Sequence, residues 1–339
     1  MSPTQFLICR VVPLLVALTL LTSGPQPAAS PADSPPDSPA NARKPASRDE
    51  LRYWLENMVW RHQFNVEEIV AATGLPAAEL VTALREFQIS PETAPPHDAD
   101  GPLLVIPYPG GRHPRIGFLE GAIDPQRETK FSVFTPWDRA SYVVVDAPEA
   151  IWSNLGLTYL AHSHIPTIWT KAEIELERLE WTRHANGELS CERRLPNGIT
   201  FGTRVVPQKH SVVMEMWLRN DTRETLTDLR VQNCVMLKGA AGFQEQINEN
   251  KVFRAPYAAA RSMQGDRWVI TAWEPCHRPW GNAACPCLHS DPKFPDCPPG
   301  ETRRLRGWLS FYTGTEIDDE LNRIDATAWR TMELPARDE

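Results

Sequence analysis

The chain has 339 residues, 42% of them hydrophobic, and 35 basic against 43 acidic side chains give it a net charge of −8. That balance excludes the basic surface that nucleic acid or an anionic membrane requires, and it leaves neutral or cationic ligands open. The roughly 240 residues after Gly101 are enough for one large β domain with a substantial core.

Residues 1–30 carry Arg10 in a short leader, an apolar run over 11–21 and small residues over 28–30. This is the layout of a secretory signal peptide, with an apolar core too short for a membrane span of about 20 residues. The expectation is an exported protein, periplasmic or extracellular, with no membrane insertion after the signal is cleaved. Cys9 falls inside the leader, so Cys191, Cys234, Cys276, Cys285, Cys287 and Cys297 remain for an oxidising compartment. An even set there reads first as disulfides, and spacing alone does not choose the pairing. Cys191 with Cys234, and the other four among themselves, is the expected arrangement, with Cys285 and Cys287 too close in the chain to pair together.

Residues 31–47 are Pro, Ala, Ser and Asp with few large apolar side chains, the composition of a disordered linker. Residues 48–89 read as a small helical domain. Leu51, Trp54, Leu55, Met58 and Val59 recur at helical spacing, Asn65 can cap a second helix with Val66, Ile69 and Val70, and Gly74 stops it before Pro76 opens a third with Leu80, Leu84 and Phe87. The block resembles a helix-turn-helix, yet four arginines against seven acids give it a charge of −3, which opposes phosphate binding. No nucleic acid is expected; a protein partner docking on the helices fits better.

A second linker, residues 90–101, carries Pro91, Pro95 and Pro96, and β patterning follows over 102–316. Valines dominate 141–146, residues 199–205 alternate, and 212–220 set Val212, Met214, Met216 and Leu218 against Val213, Glu215, Trp217 and Arg219. Residues 229–237, 268–273 and 305–312 continue in kind, with turns at Pro196-Asn197-Gly198 and Asn220-Asp221-Thr222. Many strands without long crossover helices predict a mainly β protein, a large antiparallel β-sandwich with a small N-terminal three-helix segment. Residues 317–339 form a C-terminal tail able to hold a short helix.

The segments MEMWLRNDTRETLTDLRVQNCVML and DCPPGETRRLRGWLSFYTG resemble the large bacterial β-sandwich domains related to galactose mutarotase, over residues 111–315. The resemblance implies binding or processing of a carbohydrate, with a glutamate as base and histidines as acid or orienting groups. It does not align those roles residue by residue onto this chain.

Local chemistry supplies the candidates instead. His162 and His164 sit in YLAHSHIPTIW; on an extended strand both imidazoles would share a face about 7 Å apart. A His-x-His strand also resembles the metal-binding strand of cupins, so His162, His164 and His289 form an alternative site for a divalent metal ion; the leading reading has no cofactor.

The stretch from 274 to 302 holds Cys276, Cys285, Cys287 and Cys297 among seven prolines. It reads as an irregular, cross-linked loop rather than a strand or helix. Its cysteine spacings do not match the usual zinc patterns. His277, Arg278, Trp280, Asn282 and Asp291 would project from it as a sugar-contacting surface, the ring stacking on a sugar face while amide, carboxylate and imidazole meet hydroxyls. In GGRHPRIGFLEGAIDPQRETK, glycines bracket His113, Arg115 and Glu120 at the mouth of a cleft.

Glu120, Glu274, His164 and His289 are the expected catalytic groups, with His113, Arg115, His162, His277, Arg278, Trp280, Asn282 and Asp291 as substrate contacts. The predicted activity is binding or acid/base processing of a carbohydrate or other small polar ligand, of epimerase, lyase or hydrolase type. The alternatives are a cupin-like metal enzyme and a non-catalytic extracellular scaffold.

Overall fold

The computed structural model describes residues 42–96, 100–117, 120–124 and 126–335, together with the backbone but not the side chains of Glu120 and Gly121. The expected signal peptide and residues 31–41 of the linker lie outside them. The described residues fall in one compact unit.

In chain order the strands are β1 (Val105–Pro107), β2 (Lys130–Phe134), β3 (Tyr142–Ser153), β4 (Gly156–Leu160), β5 (Thr182–Arg183), β6 (Leu189–Arg194), β7 (Ile199–Pro207), β8 (Ser211–Asn220), β9 (Val231–Met236), β10 (Lys251–Arg254), β11 (Tyr257–Arg261), β12 (Arg267–Glu274), β13 (Cys276–Trp280), β14 (Cys287–Pro292) and β15 (Thr302–Thr313). Two antiparallel sheets result. The first has seven strands in the order β1-β2-β3-β9-β14-β13 with β4 added on β3; the second has eight, β10-β11-β12-β15-β8-β7-β6-β5. The fold is mainly β, as expected, and no barrel occurs among the described residues.

Alternation along each strand decides which side chains enter the space between the sheets. Val143 and Val145 of β3, Val235 of β9 and Leu288 of β14 meet Phe201, Met214, Met216 and Leu309 of the other sheet, all essentially removed from water. Each such side chain contributes on the order of 1.5–3 kcal/mol. The alternate residues, Val144, Cys234, Met236 and Cys287, face outward and are covered in turn by Tyr108, Ile123 and Phe134.

Helices α1 (Arg48–Glu56), α2 (Val66–Thr73) and α3 (Ala77–Phe87) pack on one another, and the segment after α1 reaches the outer side of the first sheet, where His62 Nε2 lies 2.8 Å from Ser132 Oγ. A capping box at Asn65 and Glu68 opens α2, and Gly74 in the left-handed region ends it. Asn57 Nδ2 donates to the Pro107 carbonyl at 3.0 Å, and Arg112 pairs with Glu68 at 2.5 Å. Gly111 must be glycine here: its φ is +77°, and a Cβ would sit 2.3 Å from the Glu68 carbonyl oxygen. Within the expected linker, Arg43 is buried and donates to the Leu179 carbonyl and to Glu128 at 2.5 Å each. At the other end, α5 (Ile317–Asp325) and Trp329 cover the outer face of the second sheet against Tyr257, Trp268 and Trp308.

Two local expectations are corrected. The stretch 274–302 is not an irregular loop: β13 and β14 form a hairpin in it, and β14 joins the first sheet beside β9. The alternation Cys287, His289, Asp291 against Leu288, Ser290 is a strand with both faces buried, so polar residues stand where a half-exposed strand would show apolar ones. No disulfide is present among the described residues, where the six cysteines are free thiols. Cys191 lies in the core between the sheets while Cys234 faces outward from the first sheet, so this pair cannot meet.

Candidate active site

Strand register lays out a row of side chains across the outer face of the first sheet. Lys130 pairs with Asp146, Asp146 with Cys234, and His289 with Trp280. The pairing of Cys287 with Met236 and Leu288 with Val235 places His289 opposite Cys234, which completes the row over five strands. Lys130 Nζ and Asp146 Oδ2 are 3.0 Å apart and fully buried. A register shift in β3 between Asp146 and Ala150 then turns Glu149 into the same layer.

Glu149 is the hub. Its Oε1 accepts from Arg115 Nη2 at 2.5 Å and meets His162 Nε2 at 2.8 Å, and its Oε2 accepts from Gln232 Nε2 at 2.9 Å. Burial alone would raise its pKa, but Arg115 and His162 outweigh that and hold the carboxyl well below its usual range. Arg115 also donates to Cys234 Sγ at 3.3 Å.

From Glu149 a chain of contacts runs outward. His162 Nδ1 lies 2.6 Å from His164 Nδ1, with the rings stacked at 4.5 Å. His162 is buried and His164 exposed. Burial and the neighbouring His162 push the His164 imidazole below its ordinary value. The two rings are not spaced along a strand, because β4 ends at Leu160 and residues 161–165 bend before α4 (Ile168–Lys171). Both ring nitrogens of His162 have contacts within the protein, Nδ1 with His164 and Nε2 with Glu149.

Opposite this chain stands the hairpin. Trp280 stacks on His289 at 4.0 Å, and its Nε1 donates to Asp291 Oδ2 at 2.6 Å. Burial pushes Asp291 up. Burial would push His289 down, but the Cys234 sulfur, Glu149 and Asp291 hold it up at about 9. Cys234 Sγ, Cys287 Sγ and a ring nitrogen of His289 lie within 4.8 Å of one another. Burial pushes the Cys234 thiol well up, and the Cys287 thiol stands at about 12 among Cys234, Cys285 and the buried surroundings.

Between the two sides lies a cavity of about 140 Å³, whose lining includes Arg115, Glu149, His162, His164, Trp280 and His289, with Gln232 and Asn282. A neighbouring hollow of about 330 Å³ shares Leu160, His162 and Ile165 with it. Of the sequence-predicted residues, Arg115, His162, His164, Trp280, Asn282 and His289 therefore come together. Asp291 and Arg278 stand behind them, with Arg278 Nε donating to Asp291 Oδ2 at 3.2 Å.

The others do not join. Glu274 ends β12 in the second sheet and pairs with Arg330 at 3.3 Å. His277 is exposed on the hairpin. His113 Nδ1 turns toward its own segment, 3.0 Å from the Arg115 carbonyl oxygen. The side chain of Glu120 lies outside the description. Sequence reasoning missed Glu149, Gln232 and the placement of Cys234; a carboxylate inside the apolar run of β3 was the available signal, since such a group is buried only with partners.

A larger hollow of about 830 Å³ lies on the outer face of the second sheet. Its charges are matched in place, Glu215 with Arg304 at 2.7 Å and Arg219 with Asp221 at 2.8 Å, and Trp217 donates to Glu192 at 3.1 Å. It offers a charge-laced surface rather than buried reactive groups.

No family model matches the sequence, nor does any curated protein. Among solved structures, several are similar to parts of this chain. A provisionally assigned aldose 1-epimerase from Escherichia coli K12 is 10% identical with a TM-score of 0.32, covering 40% of this chain and 69% of that one. A provisionally assigned aldose 1-epimerase from Klebsiella pneumoniae is 10% identical with a TM-score of 0.28, covering 48% and 62%. A polysaccharide lyase is 11% identical with a TM-score of 0.32, covering 65% of this chain and 33% of its own length, so the chain spans about a third of that enzyme.

Proposed function

We propose that this is an exported β-sandwich enzyme that binds a carbohydrate between the His162–His164 bend and the β13–β14 hairpin and performs acid/base chemistry on it. The leader in residues 1–30 supports export. One observation carries the chemistry: the continuous contact from buried Glu149 through His162 to exposed His164, opening into the cavity. An imidazole so backed takes a proton from a bound hydroxyl or carbon while the ionised Glu149 stabilises the positive charge left in the pair.

The remaining lining suits a sugar. Trp280 offers an aromatic edge beside Asn282 and Gln232, whose amides meet hydroxyls. The cavity is smaller than the roughly 300–1,000 Å³ usual for drug-sized ligands, so its occupant is a single sugar unit, and the adjoining hollow extends it for a second.

The test is incubation of the purified chain with neutral and acidic mono- and oligosaccharides in deuterated water, read by proton NMR for anomeric exchange, new reducing ends, unsaturated products or deuterium uptake. Turnover of one sugar class is expected, with His164→Ala and Glu149→Gln each reducing it at least about 100-fold at unchanged circular dichroism. Full turnover in both variants, or no sugar turned over by the wild type, overturns the reading. Binding without turnover would instead favour a non-catalytic module.

A further inference from the structure

We infer that Cys234, Cys287 and His289 form a metal site for a thiophilic d10 ion, zinc(II) by charge balance, on the outer face of the first sheet.

The three ligand atoms are buried and lie within 4.8 Å of one another. Ligands around tetrahedral zinc stand about 2.0–2.3 Å from the ion, so the side chains need to close only modestly around it. Sheet register, not loop conformation, holds them: Cys234 is opposite His289, and Cys287 is two residues along β14 on the same face. Sites on paired strands keep their geometry better than sites on loops.

The same register argues against the competing use of these thiols. Cys234 and Cys287 are diagonal neighbours, whose Cα atoms stand roughly 7–8 Å apart in a sheet. A disulfide usually spans about 4.4–6.8 Å. Both thiols are free.

The surroundings orient the histidine as a ligand. His289 Nε2 faces Cys287 Sγ at 3.4 Å, while Nδ1 faces Asp291 Oδ1 at 3.8 Å and is otherwise a buried nitrogen without a partner. Asp291 is fixed by Trp280 Nε1 and, at 3.3 Å, by the Asn233 backbone N–H. A carboxylate behind a ligating imidazole sets its tautomer and raises its basicity. Two thiolates with one imidazole select zinc or monovalent copper over calcium or magnesium. Two thiolates also neutralise a dication, and Arg115 remains balanced by Glu149. Cys287 and His289 both reach the cavity wall, so the ion's fourth position opens toward the cleft, as in zinc sites with three protein ligands that bind water or substrate.

The experiment uses the full chain purified under reducing conditions, stripped with chelator and titrated with cobalt(II) and then zinc(II). One equivalent of cobalt should give thiolate-to-cobalt charge-transfer absorption that zinc abolishes. Cys234→Ser and Cys287→Ser should each lose that absorption, while Cys276→Ser, on the neighbouring strand, keeps it. Asp291→Asn should weaken zinc binding about 10–100-fold yet keep the absorption, which separates lost ligation from lost folding. Absorption that survives in the Cys234→Ser/Cys287→Ser double variant, no stoichiometric binding by the wild type, or a Cys234–Cys287 disulfide in peptide mapping of the protein isolated without reductant overturns the inference. Saccharide turnover depending on His164 and Glu149 is measured separately and does not decide it.

Discussion

At the scale of single residues, chemistry depends on which groups share a layer. His162 and His164 could be singled out because two imidazoles two positions apart are uncommon, but their partner Glu149 lies 13 positions upstream of His162. A carboxylate inside the apolar run of β3 marks Glu149 as a buried group in need of partners, but nothing local says which groups those are, since that pairing is set by sheet register. The electrostatics yield a prediction about pH. Burial and His162 lower the His164 pKa from its ordinary value of 6.5, so the ring is neutral through the neutral range and able to accept a proton. On the proposed mechanism kcat/KM should rise with pH through an apparent pKa below 6.5, then level off. Glu149→Gln removes the carboxylate that favours the charged pair and should lower kcat much more than it changes KM. A pH–rate profile with its acid limb above 6.5 would remove His164 from the role of base.

At the scale of elements, the legible parts were those whose apolar residues recur at a regular period. Val212, Met214, Met216 and Leu218 alternate at strand spacing, and β8 spans them. The helices announced themselves by apolar spacing and by Asn65, Gly74 and Pro76, and they stand where those signals put them. Strand β14 of the hairpin was illegible because its polar residues His289, Ser290 and Asp291 are buried with the apolar ones, which erases the alternation that marks a half-exposed strand.

Docking of the helical block turns on one such buried polar group. His62 is ringed by Phe64, Tyr108, Phe134 and Tyr142, its Nε2 is 2.8 Å from Ser132 Oγ, and its Nδ1 donates to the Asn57 carbonyl at 3.2 Å. Burial pushes its pKa from 6.5 down to about 3. The unfolded chain therefore binds this proton first. The stabilisation from keeping His62 neutral is complete above pH 6.5 and is lost as pH falls toward 3. Between pH 7 and 4, urea unfolding of the wild type should lose roughly 3 kcal/mol more than that of His62→Gln, at about 1.36 kcal/mol per pKa unit. Equal losses in both proteins would show that His62 does not couple the block to the sheet.

At the scale of the whole molecule, each sheet is covered over part of its outer side, the first by the helical block with Tyr108 and Ile123, the second by α5 and Trp329. Sequence patterning indicated two-layer packing but not the covers, because a strand buried on both faces and a strand of the inner core read alike. Nor does patterning tell that β8 and β9, neighbours in the chain, belong to different sheets. The C-terminal cover can be tested directly. Trp329 is fully buried beside Trp308, its Nε1 donates to Tyr257 Oη at 3.2 Å, and Leu321 and Ile324 fill the same layer. Trp329→Ala should cost about 3–5 kcal/mol, the usual range for removing a buried tryptophan. Because both sheets share one core, that loss should lower a single cooperative transition, with far-UV circular dichroism and tryptophan fluorescence melting together. If fluorescence shifts first while the β signal keeps its wild-type midpoint, α5 and Trp329 are a separable appendage and the second sheet is stable without its cover.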